Sequence, residues 1–341
     1  MTVPRTTIVV VPRETHSVWG RMLARLCEHT DPSVPVVVVD GGSPPSVRRQ
    51  LERITDRENF TLVRSESVLS SNEARNAGMR FVHTELVAFL DNDTMVTPGW
   101  LVQLEQCLAE TGGAVASPVV LSQLSDEWVI HDAGGVARIV GDDGSRRLEE
   151  LNVHFGKPES AVERLTRART EFQELHCLLV RVDALRQIGE FDEGLLAGRE
   201  YSDINLRMAA AGYAAWVEPR AVVRFAYARL RRPSDVALYL ARWSDEWGRA
   251  SYAHFNRKWN LQDTTGDKPY FVVRLDRRLL CPSRPSGGAH LAAWRVRRRL
   301  HRAADRIVTP LVVRSHARRR AAARPPRVTM PSRPRVGHPT A

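Results

Sequence analysis

The chain has 341 residues, 43% hydrophobic and 26% charged, enough for one large or two modest domains with a sizeable core. Its net charge of +11 is uneven: residues 290–341 hold fourteen Arg, no Lys and one acid, Asp305, so residues 1–289 are slightly acidic. A near-neutral body argues against nucleic acid as the partner of the folded domain. The four cysteines, Cys27, Cys107, Cys177 and Cys281, form no CxxC pair, which excludes a zinc ribbon or a disulfide framework and leaves reduced, cytoplasmic thiols as the expectation. No basic-then-apolar leader opens the chain, and no apolar run approaches the ~20 residues that span a bilayer. The expectation is a soluble or peripheral protein.

The first half alternates strands and helices. Thr6–Pro12, Val34–Asp40, Phe60–Val63 and Leu86–Leu90 are apolar, strand-like runs. Between them, Val18–His29, Ser46–Asp56 and Asn72–Phe81 have helical length and mixture, with Ser71 or Asn72 as the expected N-cap of the third. Continuous apolar strands separated by helices predict a mostly parallel sheet covered on both faces. Ligands of such sheets gather outside the carboxyl ends of the strands, where Pro12, Asp40 and Asp91 all sit. Neither GxGxxG nor GxxxxGK[ST] occurs, so no dinucleotide fingerprint or P-loop accounts for that crevice.

The fourth run, Leu-Val-Ala-Phe-Leu-Asp-Asn-Asp (86–93), ends in two carboxylates flanking Asn92. Strand alternation puts Asp91 and Asp93 on one side. Two hard oxygen ligands there suit Mg²⁺ or Mn²⁺ bound with a phosphate. A plain Asx turn is the alternative.

Further along, Pro98–Glu110 reads as a helix and Gly113–Leu121 as a strand. Residues 125–158 read as hairpins and mobile loop, Leu175–Val182 as a strand and Arg199–Ala211 as a helix. Ala214–Phe225 is a strand interrupted by Pro219, and Pro233–Trp259 one long helix. Trp243, Trp247 and Trp259 are expected to pack that helix onto the sheet rather than to stack on a ligand. His131 and His176 are ordinary strand or loop histidines unless they touch an acceptor.

The ordered segments VVVPRE, VVVDGGS (36–42), SNEARNAGMR (71–80), LVAFLDNDTMVTPGWL (86–101), LLVRVDALRQIGEFDEGL (178–195), REYSDINLRMAAAGY (199–213) and FNRKWN (255–260) resemble family 2 glycosyltransferases over about residues 5 to 260. The resemblance implies an inverting, nucleotide-sugar-dependent enzyme with the Rossmann-like A-type α/β fold. It implies a catalytic domain over 1–265, with a nucleotide-binding half at about 1–121 and an acceptor half at about 122–265. By position Asp40 would contact the nucleoside, with Glu14 beside the base or ribose and Pro12 at the same strand end. Arg75 and Asn76 would line the nucleotide site, Asn92 would sit within the DxD motif, and Asp93, with Asp91, would hold the metal on the diphosphate. UDP or dTDP are the donors the family favours. The acceptor would be a hydroxyl on a glycan, a lipid carrier or a secondary metabolite.

Two departures stand out. Where the family often reads Glu-Asp-x-Asp, this chain reads Glu200-Tyr201-Ser202-Asp203, so the catalytic base falls to Glu200 or to Asp203, which could instead pair with Arg207. Where relatives often carry a metal-binding His, this chain has Arg224-Phe225, and an Arg there could neutralise the diphosphate itself. Tyr201 and Arg224 keep open a degenerate sugar-nucleotide-binding protein without turnover. The string LVAFLDNDT also fits a DxDxT phosphatase, although three βα units precede it.

The remainder divides into an extension, 266–311, and an Arg/Pro-rich tail, 312–341, expected to be disordered. Val296, Leu300, Ala303, Ala304, Ile307 and Leu311 share one helical face ringed by arginines, the pattern of a helix lying on an anionic membrane such as the inner face of the cell membrane.

Overall fold

The computed structural model describes residues 4–123, 127–142, 144–225 and 232–262, together with 299, 306, 307, 310, 311, 313, 314 and 327–329. The first half runs β1 (Thr6–Val11), α1 (Trp19–Glu28), β2 (Val36–Gly41), α2 (Pro45–Ile54), β3 (Phe60–Ser65), α3 (Ser71–Met79) and β4 (Leu86–Asp91). Then come β5 (Thr94–Val96), α4 (Trp100–Thr111), β6 (Val115–Gln123), β7 (Trp128–Asp132), a hairpin of β8 (Gly135–Val140) and β9 (Arg147–Asn152), and β10 (Ala168–Thr170). The second half closes with β11 (Cys177–Arg181), α5 (Val182–Ile188), α6 (Glu200–Ala210), β12 (Ala215–Phe225), α7 (Val236–Arg242), α8 (Asp245–Trp259) and β13 (Arg327–Thr329).

All but the β8–β9 hairpin join one mixed sheet with the path β10-β12-β6-β11-β4-β1-β2-β3-β13. Strands β3, β2, β1 and β4 are mutually parallel, and β11 enters antiparallel between β4 and β6. Strand alternation divides the core. Ile8, Val10, Val36, Val38, Ala88 and Leu90 face α1, α2 and α4, whereas Val9, Val11, Val37, Val39, Val87 and Phe89 face α3, α5 and α6. Both faces are buried, which is why these strands read as unbroken apolar runs.

Two close approaches set the crevice. Gly78 lets α3 lie on β1, since a Cβ there would stand 2.4 Å from a Val9 methyl. Gly42, at φ +70°, turns the chain sharply after β2 against the Ser67 backbone.

Three expectations need correction. The cap of α3 is Ser70, in a complete capping box with Glu73, rather than Ser71 or Asn72. The expected helix over Pro233–Trp259 is two helices, because Ser244 leaves helical geometry and accepts the Trp247 N–H to start α8 afresh. Within 125–158 the expected hairpins are present, β7 pairing antiparallel with β6 and β8 with β9. The tail is not wholly without structure: Arg327–Thr329 pairs antiparallel with β3 at the sheet's edge.

The expected membrane helix over 291–311 lies largely outside the described residues; Ile307 and Leu311, which are described, are exposed. Trp243 and Trp247 are buried with Val68 and Leu238. Among the described residues no helix is long and apolar enough to cross a membrane, and the described cysteines are free thiols.

Candidate active site

The carboxyl ends of β1, β2 and β4 open on one crevice. Asn92 joins two of them: its backbone N–H donates to Val11, its Nδ2 to the Thr15 carbonyl at 2.7 Å, and its Oδ1 accepts the Arg13 N–H at 3.0 Å. The middle residue of the DND triplet therefore locks the loop after β1, and the flanking carboxylates turn to the other side.

Asp91 and Asp93 meet one guanidinium there. Arg13 Nε lies 3.2 Å from Asp91 Oδ2 and its Nη1 3.4 Å from Asp93 Oδ2 and 3.5 Å from Glu14 Oε1. The other Asp91 oxygen, Oδ1, takes Arg75 Nη2 at 2.8 Å, and Arg75 is itself buried and braced on Asn72. Asp93 Oδ1 is buried with no hydrogen-bond partner among the described residues. Burial first, and then the charges of Asp91 and Glu14, raise the Asp93 carboxyl to about 7. Asp91 is raised too, by burial, against the pull of Arg75 and Arg13.

His176, just before β11, completes the group. Its Nε2 lies 3.1 Å from Glu174 Oε2, which also receives His131 Nε2 at 3.1 Å. Burial, reinforced by Arg13, lowers His176 to about 3, so the ring is neutral. Neither ring nitrogen makes a hydrogen bond among the described residues; with the proton assigned to Nε2, on the side of the Glu174 carboxylate, Nδ1 presents a lone pair 3.6 Å from Asp91 Oδ2. Two facing lone pairs repel unless a cation stands between them. Asp91, Asp93 and His176 can each offer one atom within 4.8 Å of the others, a donor set that fits a divalent ion such as Mn²⁺ or Mg²⁺.

The remaining predicted residues divide. Asp40 is buried at the end of β2 and engaged by Ser43 N–H and Oγ, each at 2.9 Å, and by Arg64. Glu14 is buried beside Arg13, and Pro12 is buried at the β1 end. Asn76 does not line the crevice as expected: its amide is consumed by the Phe191 carbonyl and N–H and by Glu193.

Glu200 opens α6 directly after Arg199, whose φ of +69° is a left-handed backbone unusual for a side-chain-bearing residue. Its Oε1 pairs with Arg242 of α7, and its Oε2 is buried with no hydrogen-bond partner among the described residues. Burial alone would raise Glu200, but Arg242 overrides it and holds the carboxyl below its usual range. Its charge reaches Asp91 and Arg75. Asp203 is committed elsewhere, to Arg207 at 2.9 Å, Trp259 Nε1 at 2.9 Å and Lys258 at 2.7 Å. The β8–β9 hairpin closes over this helix through Glu150, which receives Ser202 at 2.6 Å and Arg199 at 3.2 Å.

Arg224 does not approach the carboxylates, contrary to the expectation that it could neutralise a diphosphate. It turns outward to Glu159 at 2.6 Å and over Trp128. Its neighbour Phe225 faces inward, against His176 at 4.2 Å and beneath Arg13 at 5.1 Å. Sequence reasoning passed over Arg13, Glu174 and Arg242, and gave His176 no role at the carboxylates. Position after the β1 end was the available signal for Arg13; the others arrive from distant elements.

Asp132, behind the histidines, accepts the Gly134 and Glu174 N–H groups. Burial, then Glu174, raises it from 3.8 to about 7. In that interval the folded state holds the proton and the unfolded state does not. This group's contribution to stability is therefore full below about pH 4 and lost as pH rises through 7. The stability difference between wild type and Asp132→Asn, followed by urea melts, is expected to shift against the wild type between those limits and to stay constant above them.

In an open α/β sheet of this kind ligands bind outside the carboxyl ends of the strands, where the paired carboxylates stand. The model of Glycosyl transferase family 2 matches residues 7–189, more than half of the chain, and the chain belongs to that family. Membership sets aside the phosphatase alternative. Two curated relatives from strains of Mycobacterium tuberculosis, each named pre-mycofactocin glycosyltransferase, are 25% identical over 219 residues, which is 64% of this chain and 42% of theirs. The chain thus spans less than half the length of the curated relatives it matches. Among solved structures, GalNAc-T7 with UDP, GalNAc and Mn²⁺ superposes with a TM-score of 0.53 at 17% identity, covering 80% of this chain and 54% of that one. That likeness shows the fold. TarS 1–349 of S. aureus with UDP covers 92% of both chains at 16% identity and a TM-score of 0.47.

Proposed function

We propose that this chain is an inverting transferase that moves a sugar from a UDP- or dTDP-sugar to a hydroxyl acceptor. One observation carries the reading: Asp91, Asp93 and His176 converge at the crevice of a glycosyltransferase family member, with Asp93 Oδ1 and His176 Nδ1 unmatched by hydrogen bonds among the described residues. A divalent ion held there would supply positive charge to the departing diphosphate. The imidazole in the set favours Mn²⁺ over Mg²⁺. The same fold in GalNAc-T7 accommodates UDP with Mn²⁺.

The chain's own residues have distinct tasks. Arg75 and Glu174 orient the ligand atoms, the first through Asp91 and the second through His176. Asp40, held by Arg64, contacts the nucleoside, and Glu14, beside Arg13 after β1, the base or ribose. Glu200 removes the acceptor proton on the opposite face of the sugar. Arg242 keeps it anionic by gripping one oxygen, and the unmatched Oε2 takes the proton. Asp203 serves as a brace between α6 and α8.

The acceptor side carries three exposed apolar side chains, Leu151 near the end of β9 and Val153 and Phe155 in the turn that follows it. Phe155 abuts His131. This supports an acceptor with an apolar portion, such as a lipid-linked glycan.

Proton NMR of the transfer product tests the chemistry. The reading expects the anomeric configuration opposite to that of the donor. A retained configuration contradicts it, and donor binding without turnover across acceptor classes would leave a sugar-nucleotide-binding protein.

A further inference from the structure

We propose that Arg13 is a displaceable counter-cation, standing on the ion's ligands in the free protein and leaving them when a nucleoside diphosphate arrives. The proposal rests on the cation reading above and adds to it a competition between a side chain and the ion for the same two oxygens.

The geometry separates two arginines that look equivalent. Arg75 grips Asp91 by Oδ1, is almost wholly buried, and is braced by Asn72 and the Leu175 carbonyl. An ion has no need to move it. Arg13 instead takes Oδ2 of Asp91 and Oδ2 of Asp93, the edge that faces the His176 Nδ1 lone pair. Its contacts at 3.2, 3.4 and 3.5 Å are longer than the ~2.7–2.9 Å of a tight charge-assisted bond. One guanidinium thus straddles three carboxylates without saturating any, and Asp93 Oδ1 is left over.

Arg13 can move where Arg75 cannot. It comes from the loop after β1 rather than from a helix, lies across the Phe225 face, and retains 12% side-chain exposure at the crevice. A divalent ion and a guanidinium cannot share Asp91 Oδ2 and Asp93 Oδ2, because like charges so close in a buried site repel strongly. A diphosphate offers the displaced guanidinium oxygens of the same kind, in bidentate geometry. Ion and nucleotide then bind cooperatively, each easing entry of the other.

The test measures Mn²⁺ binding without nucleotide, by the loss of the free-ion EPR signal, in wild type, Arg13→Gln and Arg13→Lys, with Arg13→Gln/Asp93→Asn as the site control. Arg13→Gln is expected to bind Mn²⁺ at least tenfold more tightly than wild type, the Lys variant in between, and the double variant not at all. Equal or weaker binding in both single variants overturns the proposal. A parallel titration of wild type with Mn²⁺ and UDP separates the two ideas. Ion binding there, lost in Asp93→Asn, keeps the cation reading even if Arg13 proves irrelevant; no binding in either titration removes both.

Discussion

Glu200→Gln is expected to lower kcat by about 10² to 10⁴-fold, the usual worth of a positioned general base, while leaving donor affinity within a few-fold of wild type. The amide matches the carboxylate in shape and can still meet Arg242 through its oxygen, but has no lone pair basic enough for the acceptor proton. Asp203→Asn is the internal comparison. Its two oxygens are held by Arg207, Lys258 and Trp259, so its loss should appear as lowered stability with turnover largely kept. Steady-state kinetics on both variants decide the assignment. A large kcat loss in Asp203→Asn with near-normal Glu200→Gln would transfer the role of base to Asp203.

Arg75→Met is expected to destabilise the protein by about 3 kcal/mol, the lower part of the range for removing one partner of a buried ion pair. Arg75 is buried on α3 and pairs with a buried Asp91. Arg13 stays on the other Asp91 oxygen, which keeps the loss from being larger. Urea unfolding should show Asp91→Asn/Arg75→Met less damaged than the sum of the single variants, because the neutral side chain no longer needs a cation. A loss under about 1 kcal/mol would mean that Arg75 does not carry the Asp91 charge.

Much of this arrangement was legible in the sequence. The runs at Thr6, Val34, Phe60 and Leu86 form strands paired in parallel, because strands covered on both faces are apolar throughout. The strand-end rule then brought Pro12, Asp40 and Asp91 to one edge without further information. What stayed hidden depends on long-range partners. Whether Glu200 or Asp203 faces the crevice is decided by Arg242 of α7 and by Lys258 and Trp259 of α8, some forty to fifty-five residues away. His176 reaches Asp91 because β11 enters antiparallel beside β4, a topology that a lone histidine does not announce. Arg224 and Phe225 exchanged their expected importance because the register shifts between Glu218 and Val222, around Pro219, and a bulge interrupts the alternation needed to tell inward from outward. The Asn76 amide looked free in sequence, yet the loop at 191–193 takes all of it.

The most direct measurement is a thermal-shift panel of UDP-, dTDP- and GDP-sugars, each with Mn²⁺ and with EDTA, on wild type and Asp93→Ala. A donor at a hundred times its dissociation constant should add about 2.7 kcal/mol of stability. The predicted result is a shift with a UDP- or dTDP-sugar that requires Mn²⁺ and disappears in Asp93→Ala. A shift that is indifferent to EDTA and survives in Asp93→Ala would contradict a donor site built on Asp91, Asp93 and His176.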